Sequence, residues 1–169
     1  MTLSHAHLYL NHLPVVGLPF SIILFFIAWK KKNEGWEKIA TGFLIASALL
    51  VIPVYLTGEP AEEAYNFPSG TESFIESHEG MAKVALISSI ALVLTGLLGI
   101  LIQKAQVALF LKRSAGLLGL VTSVVLLLTA SRGGPIRHTE IRDSVQSAPA
   151  ETRDEPAEQE DSPDEGDEI

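Results

Sequence analysis

Large apolar residues collect in four long runs, approximately Leu8 to Trp29, Trp36 to Leu56, Ala82 to Ile102 and Val107 to Ser131. Each is near the ~20 residues that a helix needs to cross a bilayer. Glycine and proline punctuate them. Pro14 is tolerable at the start of the first helix, whereas Pro19 predicts a kink in its outer third, and Gly17 between them allows a neighbouring backbone to approach. In the second run Gly42 and Ala46 have the small-xxx-small spacing of helix packing in lipid, and Pro53 predicts another kink. That helix is expected to end at Thr57-Gly58-Glu59-Pro60, followed by a short interfacial helix over 61–64 and a turn at Phe67-Pro68-Ser69-Gly70. Thr71-Glu72-Ser73-Phe74 reads as the capped start of the third helix, which begins outside the hydrocarbon and carries Glu76, His78 and Glu79 in its first turns. Below His78 one face holds Ala82, Ala85, Ser89, Gly96 and Gly99. This stripe serves either close packing or room for a bulky flat ligand. In the fourth helix Gly116, Gly119, Ser123 and Ala130 form a similar stripe, and Arg132-Gly133-Gly134-Pro135 predicts its stop.

Composition divides the 169 residues in two. Residues 1–141 read as an all-α, antiparallel four-helix transmembrane domain. Residues 142–169, rich in Pro, Ser, Glu and Asp, cannot bury enough apolar surface to order themselves and read as a disordered acidic tail. The tail carries most of the net charge of −8, so that figure says little about the folded part. With no cysteine, disulfides, thiolate metal sites, iron–sulfur clusters and covalent c-type haem are excluded for this chain. No basic, aromatic-interleaved patch points to nucleic acid. No phosphate loop, dinucleotide fingerprint or nucleophile–base motif is present, so a soluble-type enzyme is not expected. The first run lacks a basic leader and a cleavage site, and reads as a spanning helix rather than a signal peptide.

Charge predicts the orientation. Lys30, Lys31, Lys32 and Lys38 flank the first turn, and Lys104, Lys112 and Arg113 the third, whereas the second connection carries Glu59, Glu62, Glu63, Glu72, Glu76 and Glu79. The positive-inside rule puts the first and third turns in the cytoplasm and both termini outside, against the weaker pull of Arg132, Arg137 and Arg142. All five histidines (His5, His7, His12, His78 and His138) then fall on the outer side. Asn11, Glu59, Glu62, Glu63, Glu79, Arg132, Arg137 and Glu140 join them at the outer helix ends, where a bundle brings side chains within reach of one another.

Three chemistries fit this cluster. In the first, b-type haem takes imidazoles from His12 and His78, with Arg137 near the propionates. In the second, a divalent metal is held by His12, His78 or His138 with Glu59, Glu62 or Glu79, as mixed imidazole and carboxylate ligation suits zinc or iron. In the third there is no cofactor, and Asn11, Glu59, Arg137, His138 and Glu140 form a polar and ion-pair network that fixes the helix ends. His5 and His7 read as interfacial residues. The apolar runs carry no ionisable residue near the midplane, which argues against a proton-coupled transporter.

Four motifs bear on the choice: His7-Leu8-Tyr9-Leu10-Asn11-His12-Leu13-Pro14-Val15-Val16-Gly17, Thr57-Gly58-Glu59-Pro60-Ala61-Glu62-Glu63, Ser77-His78-Glu79, and Gly133-Gly134-Pro135-Ile136-Arg137-His138-Thr139-Glu140-Ile141. Together they resemble a bacterial family of four-helix membrane proteins of unknown function, over the chain up to about Ile141. The resemblance implies the fold and a place in the inner membrane. Relatives fused to Rieske-type redox modules imply a membrane or periplasmic redox partner. The arrangement is also similar to four-helix b-type cytochromes, but histidines at one membrane face alone allow at most one haem. The expectation is an outward-facing His/Glu/Arg site that binds haem b or a metal in electron transfer, with a cofactor-free structural or partner-binding bundle as its rival.

Overall fold

The computed structural model describes residues 2–68 and 70–142. The acidic tail, apart from Arg142, lies outside the described residues. Within them the chain is all helix: α1 Leu3–Leu10, α2 His12–Lys30, α3 Glu34–Leu49, α4 Val51–Leu56, α5 Gly58–Glu63, α6 Glu72–Leu101, α7 Ala105–Arg137, and a 3-10 turn over Thr139–Ile141. Four stretches are long and apolar enough to cross a membrane: Leu3–Lys30, Glu34–Leu56, Glu72–Leu101 and Ala105–Arg137. The architecture fits a multi-pass membrane protein.

Short turns at 31–33 and 102–104 make the first two spans and the last two spans antiparallel pairs. Lys32 takes a left-handed φ of 51° in the first turn, and Asn33 then caps α3 by accepting from the Trp36 N–H at 3.1 Å. α6 packs on α7 along its length, α2 packs on α3 and α7, and α3 on α6, which closes a four-sided bundle. Its core is Leu18, Ile22, Phe25, Ala28, Ala40, Leu44, Ala48, Val51, Ala85, Leu92 and Leu126. The helices are apolar on their outer faces too, where Phe20, Ile23, Ile87, Leu94, Phe110 and Leu117 are exposed, as in a bundle whose surrounding solvent is hydrocarbon. Buried threonines satisfy their hydroxyls on their own helix: Thr41 donates to the Glu37 carbonyl at 2.7 Å and Thr122 to that of Leu118 at 2.8 Å.

Glycines bring helices together toward the end that carries the Lys30–Lys32 turn, labelled the inner end and the opposite one the outer end. The Phe25 ring lies directly on Gly116, where a Cβ has no room. Gly99 lets the Lys112 backbone within 2.9 Å of the point a Cβ would occupy. Between these contacts a salt bridge is enclosed, Lys112 Nζ to Glu37 Oε2 at 3.8 Å. Lys112, read from the sequence as a loop charge, thus sits inside the bundle.

Several expected boundaries move. The first span is interrupted at Asn11, outside Pro19, which α2 absorbs. The second is interrupted at Leu50, and α5 follows α4 after Thr57 alone, starting three residues before the short helix expected at 61–64. Gly42 and Ala46 do not pack within the chain: Gly42 has open space around it and Ala46 is exposed. Thr71 precedes α6 but does not cap it; its hydroxyl donates to the Pro68 carbonyl instead. The stop expected at Gly133-Gly134-Pro135 is overridden, and α7 runs on to Arg137. Pro135 removes a single N–H rung, the one to the Ser131 carbonyl, and beyond it Arg142 satisfies terminal carbonyls of α7 by donating to those of Pro135 and Ile136 at 2.8 and 3.3 Å.

Candidate functional site

Three interruptions share one cause. Pro14, Pro53 and Pro60 are each the third residue of the helix that follows a break, so the carbonyls of Leu10, Leu49 and Leu56 lose their helical donors. Asn11, Leu50 and Thr57 keep right-handed helical dihedrals, so each break is a missing rung and not a reversal. α1, α4 and α5 are thereby set off from the shafts of α2 and α3, while α6 and α7 run unbroken for 30 and 33 residues. At 1.5 Å per residue a helix of that length is about 45–50 Å long, well beyond the ~30 Å hydrocarbon core.

Between the two groups lies a cavity of about 720 Å³, within the range of small-molecule and cofactor sites. Its polar wall includes His7, Asn11, Glu59, Glu62, His78, Lys83 and Arg137. Ala82, Ala85, Ala130 and Gly133 leave the space open from the α6–α7 side. The small-residue stripe below His78 therefore does two things. Ala82 and Ala85 border the cavity, whereas Gly96 and Gly99 are filled by Ile45 of α3 and by Lys112 of α7.

Two histidines are held alike. His7 donates from Nδ1 to the Val54 carbonyl at 3.0 Å, with the Thr57 hydroxyl oxygen 3.2 Å away. His78 donates from Nδ1 to the Thr129 carbonyl at 2.9 Å. A carbonyl only accepts, so Nδ1 bears a proton, and in the neutral form of such a ring Nε2 keeps its lone pair. Each ring also lies on a glycine. Gly58 stands against His7, and a Cβ on Gly133 would come within 3.2 Å of the His78 ring. The two imidazoles are within electrostatic reach of each other.

His12 is placed differently. Its ring is exposed at the cavity rim, and its Nδ1 donates to the Leu8 carbonyl of the preceding turn at 3.0 Å. The first span thus turns His7, set aside in the sequence as interfacial, toward the interior. Asn11 has its amide oxygen shielded from solvent and without a hydrogen-bond partner. His5 bonds Thr2 outside the cavity. His138 does not line the cavity either; it pairs with Glu140 at 2.9 Å on the surface. The Glu140 carboxyl is held below its ordinary range by its own backbone N–H and then by His138.

The carboxylates crowd one another. Burial pushes the Glu62 carboxyl above its ordinary range, followed by the charge of Glu79 and then of Glu59 and Glu63. Arg137 forms no ion pair among the described residues; its guanidinium stacks on the Tyr65 ring at 4.1 Å. Of the network expected from Asn11, Glu59, Arg137, His138 and Glu140, one ion pair is present among the described residues, the exposed His138–Glu140 contact. Likewise no group of three His, Asp or Glu side chains able to hold a metal ion is assembled among them, so His12, Glu59, His78, Glu79 and His138 do not converge. Sequence reasoning missed Tyr65, Lys83 and the carbonyl partners of both histidines; only the glycines at 58 and 133 hinted that something bulky packs there. Compared with protein-family models, with characterised proteins and with solved structures, the chain matches none.

Proposed function

We propose that the outer cavity binds one b-type haem and that the protein carries electrons at the outer face of the bacterial inner membrane. The observation that carries this reading is the matched pair of imidazoles from separate spans. A hydrogen bond from the far ring nitrogen to a carbonyl is how ligating histidines are oriented and made more basic. Haem needs two protein ligands, because its own ring supplies the other four nitrogens. A bare divalent ion would need three or four, and two matched imidazoles favour the haem. His7 and His78 would hold the iron. Arg137 and Lys83 would face carboxylate groups, and the free Asn11 oxygen would accept a hydrogen bond. When bound, the group supplies one-electron transfer.

The orientation belongs to the same proposal. With Lys112 neutralised by Glu37, the positive-inside argument rests on Lys30, Lys31, Lys32, Lys38, Lys104 and Arg113, still enough to put that end in the cytoplasm and both termini outside. The rival reading, a cofactor-free bundle pinned by an ion network, has one exposed ion pair in its favour.

The test is a visible spectrum of detergent-purified protein, with and without dithionite, from haem-replete cells. A Soret band that is lost or shifted by His7→Ala and by His78→Ala, but kept in His12→Ala, is the expected result. A colourless preparation discards the haem. A C-terminal reporter active only in its cytoplasmic form would overturn the orientation.

A further inference from the structure

We infer that α1, α4 and α5 form a hinged leaf that swings away from α6 and α7 to admit a ligand to the outer cavity, with the Arg137–Tyr65 stack as its latch. This inference stands on the packing and does not require the ligand to be haem. Within the leaf α1 and α5 pack on each other and on α4; α4 also packs on α6, a contact that the swing breaks, whereas α1 and α5 do not pack extensively on α6 or α7. The His7 bonds to Val54 and Thr57 join α1 to α4 inside it. Its hold on the core is slight. α1 and α5 bury no residue fully and α4 buries Val51 alone, whereas α6 and α7 bury residues along their length. Segments with few buried contacts are those that open locally at low free energy.

The hinges are located by chemistry. At Asn11 and at Leu50 the chain enters the leaf through a step whose rung is removed by a proline three residues on. Just inside these steps the shafts are fixed to each other: Ser21 and Ser47 share a hydrogen bond at 3.2 Å, and Gly17 lies against Ser47. Beyond α5 the chain returns to α6 past Tyr65. Arg142 of the chain after α7 anchors Thr71, at the base of α6, with a bond at 3.2 Å. Thr71 is thus fixed to the unbroken helices, and a cation–π contact fastens Tyr65, just past α5, to α7.

Because the chain has no cysteine, one introduced thiol reports the motion. Ala85→Cys places it in the cavity wall, where the native residue is 1% exposed. The measurement is its labelling rate with a bulky maleimide, on protein from haem-depleted cells, against the exposed Glu63→Cys as control. We expect labelling at least about tenfold slower than the control, accelerated roughly two- to fivefold by Tyr65→Leu and equally by Arg137→Gln, as loss of one exposed cation–π contact predicts. Pro14→Ala with Pro53→Ala, which restores both N–H groups, should slow it. A misfolded variant is recognised because it labels as fast as the urea-denatured chain, and the two latch variants check each other. Labelling as fast as the control, or a rate indifferent to both latch variants, overturns the hinge. A colourless protein that still shows the expected labelling pattern would discard the haem reading and keep the hinge.

Discussion

The two ends of the bundle use the same small residues to opposite effect. At the inner end Gly96, Gly99 and Gly116 are filled by Ile45, Lys112 and Phe25, and helices touch backbone to side chain. At the outer end Ala82 and Ala130 border the cavity, which α1, α4 and α5 line from the other side without filling it. The polar groups differ in the same sense. Among the described residues Glu37 and Lys112 pair with each other in the interior, whereas the outer Arg137 has no carboxylate partner and the outer glutamates crowd one another. Small residues therefore do not signify packing or binding by themselves. What stands opposite them decides.

The largest effect should come from the inner pair. Lys112→Met leaves Glu37 buried without its cation and should cost roughly 3–5 kcal/mol, while Glu37→Leu with Lys112→Met should recover most of that loss. Thermal unfolding in detergent of both singles and the double checks it. If the singles match the wild type, that end is wetter than the packing indicates.

A direct contrast of the two ends comes next. Gly116→Leu pushes against the Phe25 ring and should destabilise by about 1–3 kcal/mol, whereas Ala130→Leu projects into the cavity and should leave stability nearly unchanged. Equal losses at both sites would mean that the outer end is as tightly packed as the inner.

Gly133→Ala should act on function more than on stability. Its Cβ, 3.2 Å from the His78 ring, forces that imidazole to shift. Haem retained per protein should fall, with a thermal midpoint close to wild type. Unchanged haem content would show that the position of the His78 ring is not what holds it.

The smallest effect is a pH dependence. The Glu62 carboxyl is raised in the folded protein, so between its ordinary value of 4.5 and the raised one the folded state holds more proton than the unfolded. Its contribution is complete below that window and is lost as pH rises through it. Unfolding midpoints followed upward from pH 4.5 should decline slightly in wild type, and Glu62→Gln should flatten that decline. A decline unchanged in the variant would assign it to another group.

Much of the architecture could be read directly because bilayer-length apolar runs have few alternatives. Helix ends were harder. Gly133-Gly134-Pro135 reads as a stop, yet α7 passes through it, since Arg142 satisfies the carbonyls at that end and His78 packs into the space the glycine leaves. Gly42 and Ala46 read as a packing pair, but the face of α3 that meets its neighbours carries Ala40, Leu44, Ser47 and Ala48. The outer cluster was visible as a set of polar residues near the helix ends. Its membership was not, because the packing of the first span decides which face turns inward: His7 and Asn11, four residues apart on one face, are partly enclosed, and His12 stays exposed at the rim.

Sequence alone determined the number of spans, the absence of thiol chemistry and the gathering of every histidine near one end of the bundle. These follow from composition and from the length an apolar helix needs in lipid. Tertiary structure decided which histidines face inward, which glycines are filled and which border space, and that Lys112 is a buried partner of Glu37 and not a loop charge. Those properties depend on side chains far apart in the chain: Val54 and Thr57 for His7, Thr129 for His78, Phe25 for Gly116. No local pattern specifies such pairings, because each is set by the angle at which two helices pass and by where a proline removes a rung.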